Sequence, residues 1–426
     1  MSEYLLSLAA ARTSGTPFGI YSVCSAHPLV IQASVEQALQ DDSVLLVEAT
    51  CNQVNQFGGY TGMTPMDFVN FVTSIAGRLG LSSQKLILGG DHLGPHPWKH
   101  LPAEKAMQHA EDMVSAYARA GFTKLHLDTS MGCSDDSPLP EYVVAERAVR
   151  LGAAAEVNSR GRSLCYVIGT EVPTPGGTTE SFEHMAVTSP ENVNQTLRVH
   201  REAFHAAGLA TAWSRVIAAV VQPGVEFNHS SVANYAPEKT LPLQRVLDDE
   251  PALVYEAHST DYQPPDCYHR LVGDGFAILK VGPALTFAMR EALFALAAIE
   301  EELVGSKHCS MLPAVIEEVM LHRPEHWNSH YHGDIRTQYL LRRYSYSDRI
   351  RYYWTDPLVK QAVATLFLNL DLAGIPENML SQHLPEQYAA VRDQQIPLNA
   401  ERITVHKIRR VLQQYANGCR VQDKGV

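Results

Sequence analysis

Eight short apolar runs recur between residues 19 and 282, and each turns polar at its end. They cover 19–25, 44–50, 85–91, 124–130, 165–171, 218–223, 253–259 and 276–282. Near-continuous Val, Ile, Leu and Ala, with little alternation of apolar and polar residues, marks strands covered on both faces and hence a parallel sheet. Helical patterns fill the gaps. Thr64 and Pro65 supply a cap and a proline at the first helical position. The helix they open runs through Phe68, Phe71, Val72 and Ile75 and stops near Gly80. Further helices are expected over 103–120, 140–157, 190–208 and 286–304. Strand and helix alternating eight times, at roughly 35 residues per unit, is the (β/α)8 barrel pattern. The competing doubly wound sheet wants G-x-G-x-x-G after its first strand, and none follows here.

Past residue 305 the strand pattern stops. The segments 312–321, 358–372 and 400–415 read as helices. The chain is therefore expected to divide into a barrel, 1–305, and a mainly helical C-terminal extension, 306–426. Its formal charge of −12 argues against nucleic acid or an anionic membrane as the main partner. No apolar run is long enough to span a bilayer, and residues 1–16 lack the pattern of a signal peptide. The seven cysteines are scattered without a C-x-x-C pair, which suits a reducing cytoplasm.

A barrel carries its chemistry at the C-terminal ends of its strands. Those ends hold His27, Glu48, Asn52, Asp91, His92, His126, Asp128, Glu171, Gln222, Glu226, Glu256, His258 and Lys280. So many ionisable groups are costly to bury without a purpose. In 88–95 (LGGDHLGP), His92 suits a metal and Asp91 suits proton transfer, although a capped turn would look the same. Glu256 and His258 alternate onto one side of a strand, and Glu171 is a third carboxylate at a strand end. Two imidazoles with carboxylates suit zinc. Lys280 reads as a partner for a phosphate or for Glu256, ahead of a Schiff base. Three other segments read as weaker. His326, His330 and His332 lie in an aromatic loop and read as packing. The run 344–354 interleaves Tyr and Trp with Arg and reads as a contact surface for the barrel or a partner. The glycine-rich run 55–62 reads as a flap.

Several of these stretches are long enough to carry a resemblance. Residues 49–65 (ATCNQVNQFGGYTGMTP), 88–95, 221–227 (VQPGVEF), 256–263 (EAHSTDYQ), 277–287 (AILKVGPALTF) and 345–349 (SYSDR) resemble the Z subunits of bacterial tagatose-1,6-bisphosphate aldolase, the GatZ/KbaZ family. The resemblance implies an accessory subunit, inactive alone and possibly chaperone-like. Such a subunit supports a catalytic, zinc-dependent class II aldolase subunit in galactitol or N-acetylgalactosamine catabolism. Members have also been called tagatose-6-phosphate kinases, but no G-x-x-x-x-G-K-[ST] occurs here. The chain also resembles the class II aldolases at a distance. That likeness implies Asp91 as the acid/base, His92 and His258 as zinc ligands, and Glu171 or Glu226 in place of a histidine that falls at Gln222. Ser259 and Thr260 stand where those enzymes carry a phosphate-gripping Gly-Gly-Ser. The implied ligands are zinc and a sugar phosphate, with Gln222, Glu226, Ser259 and Lys280 as candidate contacts.

Overall fold

The computed structural model describes residues 2–420 apart from 172–176, 179–181 and 183–184. Its strands are β1 (Ile20–Val23), β2 (Leu45–Thr50), β3 (Leu86–Leu93), β4 (Lys124–Leu127), β5 (Cys165–Ile168), β6 (Val216–Val221), β7 (Glu226–Phe227), β8 (Val232–Ala233), β9 (Val254–Ala257) and β10 (Ile278–Val281). All but β7 and β8 close a parallel barrel in the order β1-β10-β9-β6-β5-β4-β3-β2. These eight strands lie within or across the eight predicted runs. The pair β7 and β8 forms a small antiparallel hairpin in the loop after β6.

The helices are α1 (Ser2–Thr13), α2 (Pro28–Asp41), α3 (Pro65–Leu79), α4 (Ala103–Ala120), α5 (Glu141–Asn158), α6 (Pro190–Ala206), the short α7 (Ala210–Trp213), α8 (Pro237–Asp249), α9 (Pro265–Gly273) and α10 (Pro283–Val304). Thr64 caps α3 as expected, in a reciprocal capping box with Asp67. Helix α1 was not foreseen. Its Leu5, Leu8 and Ala9 join Ile20, Leu46, Ile87, Val167, Val254 and Ile278 in one apolar cluster at the barrel interior. The N-terminal helix thus packs against the apolar layer of the barrel.

After α10 come α11 (Leu312–His322), α12 (Ile335–Tyr344), α13 (Pro357–Ala373), α14 (Glu377–His383), α15 (Pro385–Arg392) and α16 (Ala400–Cys419). The first, third and last match the expected helices. Helix α16 packs on α2, α9 and α10, so the C-terminal region continues the barrel's outer layer. No helix among the described residues is long and apolar enough to cross a membrane.

Candidate functional site

Above the apolar layer the barrel interior becomes charged. Lys124 on β4 places its ammonium 2.5 Å from Glu48 Oε1 and 2.6 Å from Glu256 Oε2, with all three side chains wholly buried. These are charge contacts whose angles fall outside hydrogen-bond geometry. The Lys280 ammonium touches Glu48, lies 2.9 Å from Asp91 Oδ1 and reaches Glu256 Oε1 at 3.6 Å. Space for Glu48 comes from Gly89 on the neighbouring strand, where a Cβ would stand 2.7 Å from Oε1. Burial works against charge in Lys124, Lys280 and Glu256, yet Lys124 and Lys280 hold the Glu256 carboxyl well below its ordinary range. Asp91 and the two glutamates in turn raise Lys280.

Three histidines stand around Asp91. His126 Nδ1 is 2.9 Å from Asp91 Oδ1. His92 Nδ1 is 2.8 Å from Asp128 Oδ2, and its Nε2 is 3.7 Å from Asp91 Oδ2. His258 Nε2 is 3.0 Å from Glu256 Oε1. The three ring centroids are 4.9–5.3 Å apart. Burial lowers the His258 imidazole to about 4. Burial also opposes charge on His92, but Asp91 and Asp128 raise it above its ordinary value. Burial would raise Asp91, yet His92 and Lys280 hold it well below the usual carboxylate range. His92, Ser259 and Tyr262 all take left-handed backbone, with φ of 50°, 53° and 64°. Strain of this kind collects at functional sites.

The structure thus brings together Asp91, His92, His258, Ser259 and Lys280, all of which line the mouth of the barrel. It does not bring Glu171 to them. Strand β5 ends at Ile168, so Glu171 falls on the loop beyond, exposed, where it accepts hydrogen bonds from Thr188 and Asn192. Glu171 lines a separate open cavity with Lys99, Gln222 and Glu226. The Gln222 carboxamide is spent on its own turn, accepting from the Gly224 and Val225 N–H groups at 2.8 and 3.0 Å. Glu226 is buried on β7, and burial lifts it to about 7.

Asp91, His126, Glu256 and His258 offer atoms within 4.8 Å of one another. The set does not fit a divalent cation. Two ammonium groups already face its carboxylates, and a metal there would stand against both positive charges.

Other mouth residues went unrecognised as such. Asp261 is buried and accepts from the Gly282 and Ala284 N–H groups at the start of α10, at 3.0 and 2.8 Å. It fills with a carboxylate a helix N-terminus of the kind that binds phosphate in many barrels. Arg351 and Tyr352 reach the mouth from the C-terminal region. Tyr352 packs against Tyr60 and stacks on His326, with centroids 4.7 Å away in both cases. The aromatic run 344–354 is therefore a contact surface for the barrel, and His326 is packing, as expected. Instead of hanging free, the glycine-rich run is pinned by Asn55 Oδ1, which accepts from Phe57 and Gly59, and by the Thr61 hydroxyl, which donates to Gln53 O.

Fold and site define a closed parallel (β/α)8 barrel with a charged, partly strained mouth completed by its own C-terminal helices. Residues 5–420 match the family described as D-tagatose-1,6-bisphosphate aldolase subunit GatZ/KbaZ-like. The chain belongs to that family. A solved structure described as a probable tagatose 6 phosphate kinase from Sinorhizobium meliloti 1021 is 50% identical, with a TM-score of 0.88 over 94% of this chain and 100% of that one. A putative fructose-1,6-biphosphate aldolase from Coccidioides immitis is 14% identical, at TM-score 0.43 over 87% and 95% of the two chains. The fructose-bisphosphate aldolase of Campylobacter jejuni is 16% identical, at 0.42 over 87% and 93%. Nothing about activity follows from likeness as loose as the last two.

Proposed function

We propose that this chain is an accessory, non-catalytic subunit of tagatose-1,6-bisphosphate aldolase. It works in the cytoplasm, in galactitol or N-acetylgalactosamine catabolism. Its partner is a catalytic class II subunit, whose activity and stability it supports in a chaperone-like way. One observation carries the reading: the Lys280 ammonium sits 2.9 Å from Asp91, the residue that the class II likeness implies as the acid/base. A general base works best with a pKa near the working pH. Held well below the carboxylate range, Asp91 is a weak base, and the ammonium competes with any metal for its oxygen.

A second reading, a metal-dependent aldolase active alone, keeps one support. His126 Nε2 is buried beside Asp91 without a hydrogen-bond partner among the described residues. Co-expression separates the two. With this chain present, the catalytic subunit should lose activity more slowly on warming and show higher specific activity. Equal half-lives and equal activity with and without it would remove the accessory reading.

A further inference from the structure

Between the barrel mouth and the C-terminal helices lies a cavity of about 440 Å³, within the range of small-molecule sites. It adjoins the mouth and shares Gln53, Tyr60 and Arg351 with it. Its lining holds two cations, Arg351 and Lys360, and no Asp or Glu, although the chain has more acidic than basic residues. Neither cation has a carboxylate within ion-pair distance among the described residues. The Arg351 guanidinium donates only to main-chain carbonyls, that of Asp348 at 3.2 Å and that of Ser347, and to the Tyr352 hydroxyl at 3.0 Å. Those contacts orient it, while the nearby Asp261 and Asp348 carboxylates act on it from beyond ion-pair distance.

A second observation is independent of charge. Trp354 lines the same cavity at 4% exposure, and its indole N–H is buried with no acceptor among the described residues. An indole N–H can only donate, and a buried donor left unmet is costly. An oxygen-rich anion would answer the N–H and both cations together. The rest of the wall, with Met63, Phe71, Val363 and Phe367, is apolar and suits a small body attached to that anion.

We propose that this junction cavity is a binding site for a small phosphomonoester, with the phosphate held by Arg351, Lys360 and Trp354. A phosphate brings three acceptor oxygens and nearly two negative charges, matching one N–H and two cations better than a carboxylate does. The site borders the charged mouth through Arg351, but Lys360 and Trp354 lie outside that mouth, and binding there does not depend on whether the centre reacts.

The test titrates inorganic phosphate, tagatose 6-phosphate and a sugar carboxylate into the full chain by calorimetry, with tryptophan fluorescence alongside. Sugar phosphate should saturate, more tightly than inorganic phosphate. Lys360→Gln, an exposed change that leaves folding intact, should weaken it about tenfold through loss of a charge-assisted contact. Trp354→Phe should weaken it about fivefold by the same logic and remove the fluorescence change. Lys99→Gln, in the other cavity, should leave it unaltered. No saturation by about 20 mM ligand, a far weaker affinity than such a contact set gives, would overturn the proposal. So would unchanged affinity in both Lys360→Gln and Trp354→Phe, or tighter binding of the carboxylate. None of these outcomes touches the accessory reading, which is measured on the catalytic subunit.

Discussion

The barrel centre and the junction cavity both place cations inside the protein, but they treat them in opposite ways. In the centre, Lys124 and Lys280 face Glu48, Asp91 and Glu256, and the charges answer one another at 2.5–3.6 Å. In the junction, Arg351 and Lys360 line a cavity that contains no acidic side chain. The difference teaches where each region's interactions go. Charges that neutralise one another hold the fold and resist a ligand, whereas cations left without carboxylates attract one.

The largest effect expected from this contrast is in the centre. Lys124→Met leaves two buried carboxylates, Glu48 and Glu256, to share the one Lys280 ammonium and should cost about 3–5 kcal/mol in denaturant unfolding. A cost near zero would show that the centre is not held by these pairs.

Acid should act there next. His258 has its pKa depressed to about 4 in the folded state. The unfolded chain therefore takes up that proton first, and stability falls as pH drops from about 6.5 towards 4, by roughly 3 kcal/mol from this group. Asp91 and Glu256, with lowered folded pKa values, contribute stability that is present above about 4 and lost below it. His92 has the opposite sign. Raised in the folded state, it stabilises below about 6.5 and loses that contribution as pH rises through its folded value. A His258→Asn variant should flatten the pH 4–6.5 slope of the unfolding free energy. An unchanged slope would place the proton uptake elsewhere.

Gly89→Ala is expected to push a Cβ against the Glu48 carboxylate and cost about 1–3 kcal/mol, read as a lowered Tm. The smallest effect belongs to the junction. Lys360→Gln should change stability by less than about 0.5 kcal/mol, because an exposed cation with no ion-pair partner among the described residues holds nothing in place. A larger loss would mean that Lys360 is structural and would erase the contrast.

Much of this architecture was legible in the residues. A strand buried on both faces is written as an apolar run, so β1–β6, β9 and β10 stood out, as did the Thr64 cap. The charged layer was harder. Lys124 opens its strand, and only ring closure decides that it meets Glu48 and Glu256 across the interior. Glu171 was misplaced for a local reason: β5 ends three residues earlier, and the side chain after the strand no longer follows the alternation. Arg351 and Trp354 belong to a contact between segments hundreds of residues apart, about which spacing says nothing. Helix α1 has weak amphipathic character in its sequence, because Leu6 is exposed while Leu5, Leu8 and Ala9 are buried.

The most direct test of the account is aldol cleavage of tagatose 1,6-bisphosphate by the purified chain alone, supplied with zinc. With Asp91 tied to the Lys280 ammonium, no turnover above buffer is predicted, while adding the chain to the catalytic subunit should raise turnover. Cleavage by the chain alone that disappears in Asp91→Asn would contradict it.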